Sequence, residues 1–160
     1  MTYKSICWIS DNSKFNLSIL DNAIWAAGEI ALHDQSLEVF ILPAFQRLAT
    51  LIEKENTRNV SENAAITICR YGYNYTSLVS QHLDHIIQPI CSIIAGIRDN
   101  LEKESAFLGL LKLAAFNPDS IQRNLVFFCH VCLSWTKMAP AINGYVHGVN
   151  PIINMHNNFI

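Results

Sequence analysis

The sequence predicts an all-α protein built as a short α-solenoid. Three observations carry that prediction: a composition too apolar for a singly packed bundle, helical spacing of the apolar residues, and an internal repeat of about 41 residues. Apolar residues make up 51% of the 160, and charged residues only 15%, against roughly 25% in an average soluble domain. That composition excludes disorder and calls for helices buried on more than one side, or for a surface that something else covers. Glycine and proline are scarce, at 6 and 5, so no stretch reads as a linker. Period-2 alternation never lasts long enough for a strand. The longest apolar stretches, 86–97 and 125–135, are interrupted by polar residues and fall short of the ~20 needed to span a bilayer. Net charge is −2, from 11 basic and 13 acidic residues. No general nucleic-acid binder looks like that, so neither membrane nor nucleic acid is an expected partner.

Taken in order, the elements are as follows. Leu17, Leu20, Ile24, Ala27 and Ala31 stack on one face of a first helix. A second, more apolar helix covers about 37–54. Another such helix covers about 77–97, where Leu78, Leu83, Ile86, Ile87, Ile90 and Ile94 share a face. Asp99-x-x-Glu102 has the form of a capping box with Asp in the first position. Asn117-Pro118-Asp119 supplies a cap, a first-turn proline and an acid at the positive end of a helix over about 119–135. Slid against itself, the chain aligns Asp21-Asn22-Ala23-Ile24-Trp25 with Glu62-Asn63-Ala64-Ala65-Ile66, displaced by 41, and then with Glu104-Ser105-Ala106-Phe107-Leu108, displaced by 42 more. Two helices per period of this length define HEAT-type or armadillo-type arrays, and about four such helix pairs fit in the chain.

The array is expected over 17–135, with an atypical segment at 1–16 and a degenerate final repeat and tail at 136–160. Cys7-Trp8-Ile9 and Pro151-Ile152-Ile153 are apolar where a free solenoid needs wet ends, so the chain reads as a segment of something longer. Residues 6–9 are too short for a secretory h-region. Five cysteines, an odd number, fit a reducing compartment without a disulfide framework. The cytosol or nucleus is therefore expected, and the sequons at Asn16, Asn59 and Asn74 are expected to stay unmodified.

At 100° per residue, Trp25 lies off the packing stripe, with Asp21 at i−4 and Glu29 at i+4. The aligned positions repeat the pattern. They predict an apolar spine, Trp25–Ile66–Leu108, an acidic row, Asp21–Glu62–Glu104, and a row of alternating sign, Glu29–Arg70–Lys112. A trough of that kind suits an extended peptide with apolar and basic side chains: desolvated anchors supply affinity and the acids set on-rate and selectivity. The competing reading is that these side chains pack between helices and that the array is a scaffold for protein assembly.

Catalytic and metal chemistry are not expected. Cys129-His130-Val131-Cys132 is a single CxxC with no second pair, and a zinc site needs four ligands; buried structural thiols are the expectation. His82-x-x-His85 with Asp84 lacks the glutamate of a metallohydrolase motif and reads as a solvated helix face. No phosphate loop or nucleophile elbow occurs. No enzyme, metal or cofactor is predicted.

The repeated segments also carry a resemblance. Residues 21–31 (Asp-Asn-Ala-Ile-Trp-Ala-Ala-Gly-Glu-Ile-Ala), 62–73 (Glu-Asn-Ala-Ala-Ile-Thr-Ile-Cys-Arg-Tyr-Gly-Tyr) and 96–107 (Gly-Ile-Arg-Asp-Asn-Leu-Glu-Lys-Glu-Ser-Ala-Phe), extended by Asn117-Pro118, 125–129 and Ser134-Trp135, resemble the C-terminal HEAT repeats of transportins, nuclear import receptors of the importin-β (karyopherin-β) family. The resemblance covers about 17–135. It implies a non-enzymatic receptor, shuttling between cytoplasm and nucleus. Such a receptor binds cargo proteins through proline-tyrosine nuclear localisation signals on its concave face, meets nucleoporins in the pore and releases cargo to Ran-GTP. By motif position it implies that Trp25 and Ile66 line a pocket for the signal's N-terminal hydrophobic or basic part, with Asn63 beside them; Asp21 and Glu62, from the acidic row that the repeat predicts, complete the candidate cargo-binding set. The family's Ran-GTP-binding arch, its long acidic loop and the repeats for the proline-tyrosine end have no counterpart here. Beyond Thr136 only His147-Gly148 keeps the pattern.

Overall fold

A computed structural model describes residues 14–53, 58–137 and 142. Among the described residues there are eight helices and no strand: α1 (Lys14–His33), α2 (Glu38–Glu53), α3 (Arg58–Asn74), α4 (Thr76–Ser80), α5 (Leu83–Gly96), α6 (Leu101–Phe116), α7 (Pro118–Arg123) and α8 (Leu125–Leu133). They form two layers. In the first, α3 lies between α1 and α6; in the second, α2, α5 and α8 follow one another, with α2 against α3 and α5 against α8. This is the all-α solenoid that the repeat predicts. The apolar ends at 7–9 and 151–153, and the His147-Gly148 match, lie outside the described residues.

The core runs continuously between the layers, from Leu20 and Ile24 through Ile68, Ile87 and Ile90 to Phe107, Leu110 and Phe128. Each such side chain contributes roughly 2 kcal/mol of transfer free energy. Helix α3 is enclosed: residues 64–72 are all buried, because neighbours in the first layer cover two of its sides and α2 covers a third. Backbones approach closely there. A methyl group at Gly109 of α6 would overlap the Cys69 carbonyl of α3, and one at Gly72 would overlap Leu113.

The second layer differs from the expected pattern in two places. The helix expected over 77–97 is divided into α4 and α5 by a turn at Gln81-His82, and the one over 119–135 into α7 and α8 at Asn124. Pro43 and Pro89 sit inside α2 and α5. Each removes the helical donor for the residue four before it, Val39 and His85, which are exposed to water. The cap at Asn117 is as expected, its side chain accepting from the Ser120 backbone N–H. The cap of α6 is Asn100, which accepts from the Lys103 N–H at 2.8 Å, rather than Asp99. Asp99 is drawn away to accept from the Thr136 hydroxyl and backbone N–H, the Lys137 N–H and the Lys103 ammonium.

Candidate functional site

The site is built on the three helices of the first layer. On α1 the packing stripe is as expected, with Leu20, Ile24 and Ala31 buried and Leu17 partly buried. That leaves Trp25 on the outside, 43% exposed. The indole does not pair with the acids of its own helix. Its Nε1–H donates to Oε1 of Glu102 on α6, at 3.1 Å, so the ring reaches over α3. The acids flanking it on α1 are engaged elsewhere. Asp21 accepts from the Asn63 amide at 2.8 Å, and Glu29 pairs with Arg70 at 2.8 Å.

Arg70 is the hub. It is 2% exposed; its Nη2 donates to Oε2 of Glu102 at 2.5 Å and its Nε to the Ser105 hydroxyl at 2.7 Å. One guanidinium thereby joins all three helices of the layer. Among the described residues its Nη1 is buried without a hydrogen-bond partner. The group fits because residue 28 is glycine: a Cβ there would stand 3.2 Å from Arg70 Cδ, 3.3 Å from Nη1 and 2.7 Å from the Thr67 hydroxyl. That hydroxyl donates to the Ile24 carbonyl across the same crossing, at 2.9 Å.

Glu62 accepts from Arg58 at 2.5 Å, one turn earlier on α3. Four carboxylates (Asp21, Glu29, Glu62, Glu102) thus accompany two guanidiniums (Arg58, Arg70), and the face is net negative. Lys112 turns aside: its ammonium donates to the Tyr73 carbonyl at 3.2 Å and lies 3.4 Å from the centre of the Tyr73 ring.

The expected residues therefore meet only in part. Trp25, Asp21 and Asn63 lie together, and the Glu29–Arg70 alternation is an ion pair. Ile66 is 4% exposed, so the spine is interrupted at the enclosed helix, and Leu108 is only partly buried against the core. On α6 the partner of the site is Glu102, not Glu104. The sequence repeat does not point to Glu102 or Ser105, since the 42-residue offset places Glu104 opposite Glu62. The available signal was Arg70, a charge at the end of an otherwise apolar stretch, which needs carboxylates from neighbouring helices.

The other groups considered have structural partners. Asp84 accepts from Arg123 and from the Ser120 hydroxyl, and these bonds hold its carboxyl below the usual range, Arg123 first. Burial pushes the Cys91 and Cys132 thiols up to about 12. Cys129 and Cys132 are half-buried, not fully enclosed as expected. No group of three or more potential metal ligands occurs among the described residues, and no helix among them is long and apolar enough to cross a membrane.

No family model matches the chain. Individual proteins do. It is 36% identical over 121 residues to transportin-1 of Homo sapiens, covering 74% of this chain and 14% of that protein. With the transportin of Dictyostelium discoideum it shares 39% over 126 residues, 78% of this chain and 14% of the relative. Importin subunit beta-2 of Schizosaccharomyces pombe matches at 37% over 115 residues, 71% of this chain and 13% of the relative. The chain thus spans about one seventh of the length of these relatives. Together with the helix-pair array, these matches identify the chain as a transportin-like segment of the importin-β (karyopherin-β) family of nuclear import receptors.

Proposed function

We propose that this segment recognises nuclear localisation signals of cargo proteins, with Trp25 as its apolar anchor and the carboxylates around it selecting basic side chains. The observation that carries the reading is the exposed indole among carboxylates on the first layer. An aromatic ring of this size left 43% open is a poor choice for packing and a good one for a contact. A net negative rim favours a basic segment and speeds its approach. Asn63, tied to Asp21, holds the edge of the face. Ile66 serves from beneath, shaping the floor rather than touching a ligand broadly.

Signals of the proline-tyrosine type are the proposed ligands, and this segment would hold only their N-terminal, basic or hydrophobic part. Contacts with nucleoporins and Ran-GTP belong to the larger receptor architecture, as does shuttling between cytoplasm and nucleus. The reading assigns no catalysis and no cofactor. The exposure of Trp25 favours recognition over a purely structural scaffold, which would place the ring between helices.

The test is binding of a synthetic basic–hydrophobic signal peptide to the chain and to Trp25→Ala, by calorimetry. Loss of a hot-spot tryptophan costs about 2 kcal/mol, some thirtyfold in affinity. Equal affinity in the two proteins would remove Trp25 from the site and end the reading.

A further inference from the structure

We propose that Glu102 is a positioning residue for Trp25: Arg70 fixes the Glu102 carboxylate, and Glu102 holds the indole across α3. Its effect on peptide affinity rests on the function proposed above, while the positioning itself does not.

An indole N–H is a donor only, and an exposed tryptophan on a helix has several rotamers open to it. The two acids nearest in sequence, Asp21 and Glu29, are taken by Asn63 and Arg70. The acceptor comes instead from a residue 77 positions away, on a helix beyond the nearest neighbour. That acceptor is itself constrained, because its second oxygen receives Arg70 Nη2. Arg70 is constrained in turn by the Ser105 hydroxyl and by Glu29, in space left by Gly28. Burying an arginine with one Nη unpartnered is a costly way to fill a helix crossing. What it achieves here is a rigid line from Gly28 through Arg70 and Glu102 to the indole. A ring ordered before the ligand arrives spares part of the entropy that binding would otherwise lose.

The experiment uses the ¹⁵N-labelled 160-residue chain and reads the indole N–H correlation of Trp25, assigned by its disappearance in Trp25→Phe. In Glu102→Ala the resonance is expected to move towards the position of a free indole and to exchange faster with water. The signal peptide should then bind about three- to tenfold more weakly. Glu102→Gln keeps one acceptor oxygen for two donors, the indole and Arg70 Nη2, and turns an amide NH2 towards the other, so it should restore the resonance and the affinity only in part.

An unmoved resonance in Glu102→Ala overturns the proposal whatever the peptide does. A restored resonance without restored affinity in Glu102→Gln would show that charge, not ring position, serves binding, and would overturn it too. If the resonance moves as expected but Trp25→Phe and Trp25→Ala bind peptide like the parent chain, positioning stands and the recognition reading fails.

Discussion

The two layers of the array hold together by different means. In the first, α3 meets α1 and α6 through glycines and polar side chains. Thr67 donates to the Ile24 carbonyl, Asn74 to the carbonyls of Ala31 and Leu32, and Lys112 to that of Tyr73. Gly109 lets the α6 and α3 backbones approach, and Gly72 makes room for the Leu113 side chain. In the second, α5 presents Leu83, Ile86, Ile87, Ile90 and Ile94 to its neighbours, and α8 presents Phe128 and Val131. A polar tie there joins Asp84, at the start of α5, to Ser120 and Arg123. Aliphatic surfaces slide and repack at little cost, whereas a hydroxyl on a carbonyl, or a glycine against a backbone, fixes register. The layer that carries Trp25 is the one whose geometry is fixed.

The most damaging way to break this contrast is Gly109→Ala. Its methyl would overlap the backbone carbonyl of Cys69, which has no rotamer to escape into, so α6 must move off α3. A destabilisation of about 4 kcal/mol, or loss of cooperative unfolding, is expected in urea titrations. Gly96→Ala is the control, since nothing among the described residues stands within 4 Å of its Cβ position; it should be neutral or slightly stabilising. If both glycines tolerate alanine equally, the first layer is not geometrically fixed.

A smaller effect is expected in the second layer. Ile87 and Ile90 are fully buried, yet Ile90→Val should cost only about 1 kcal/mol, since neighbouring aliphatic side chains close much of the space. The same urea titration measures it. A loss approaching that of Gly109→Ala would make the second layer as exacting as the first.

This asymmetry also governs what the sequence could say. The repeat was legible because Asp21-Asn22-Ala23, Glu62-Asn63-Ala64 and Glu104-Ser105-Ala106 keep the side chains that pack α1, α3 and α6 in one period. Helical spacing puts Trp25 off the packing stripe but leaves packing between helices as the competing reading; its exposure decides for the first. Burial of Ile66 was not legible, because spacing treats every copy alike, while α3 has neighbours on both sides and α1, among the described residues, has one in its layer. Glu102 was hidden for a similar reason. Stacked helices cross rather than superpose, so the residue opposite Arg70 is set by the crossing and by the reach of a long side chain, not by a 42-residue offset. Asp99 and Asn100 are both competent caps; only the arrival of Thr136 and Lys137 decides between them. The turn at Gln81-His82 has neither glycine nor proline to announce it.

The weakest expected effect lies where Thr136 and Lys137 are tied back to Asp99 at the start of α6. The Thr136 hydroxyl, first, and then the Lys103 ammonium and the backbone N–H groups of Lys137 and Thr136 hold the Asp99 carboxyl well below the usual carboxylate range. A depressed folded value means that the ionised form is favoured by folding. Its stabilisation is therefore present above the unfolded value near 4 and lost as pH falls through the lower folded value. Asp99→Asn removes this component at neutral pH and flattens the acid limb of the stability curve below about pH 4. Urea midpoints for the two proteins, measured from pH 7 down to pH 2, should converge as Asp99 becomes protonated. Since Lys103 is buried beside the Trp135 ring, 4.7 Å from its centre, the same substitution should also shift the Trp135 fluorescence. The Trp25 indole signal, held by Glu102 rather than by this ion pair, should stay where it is. A midpoint gap that persists unchanged to pH 2 would mean that Asp99 acts by shape and hydrogen bonding alone, with no contribution from its charge.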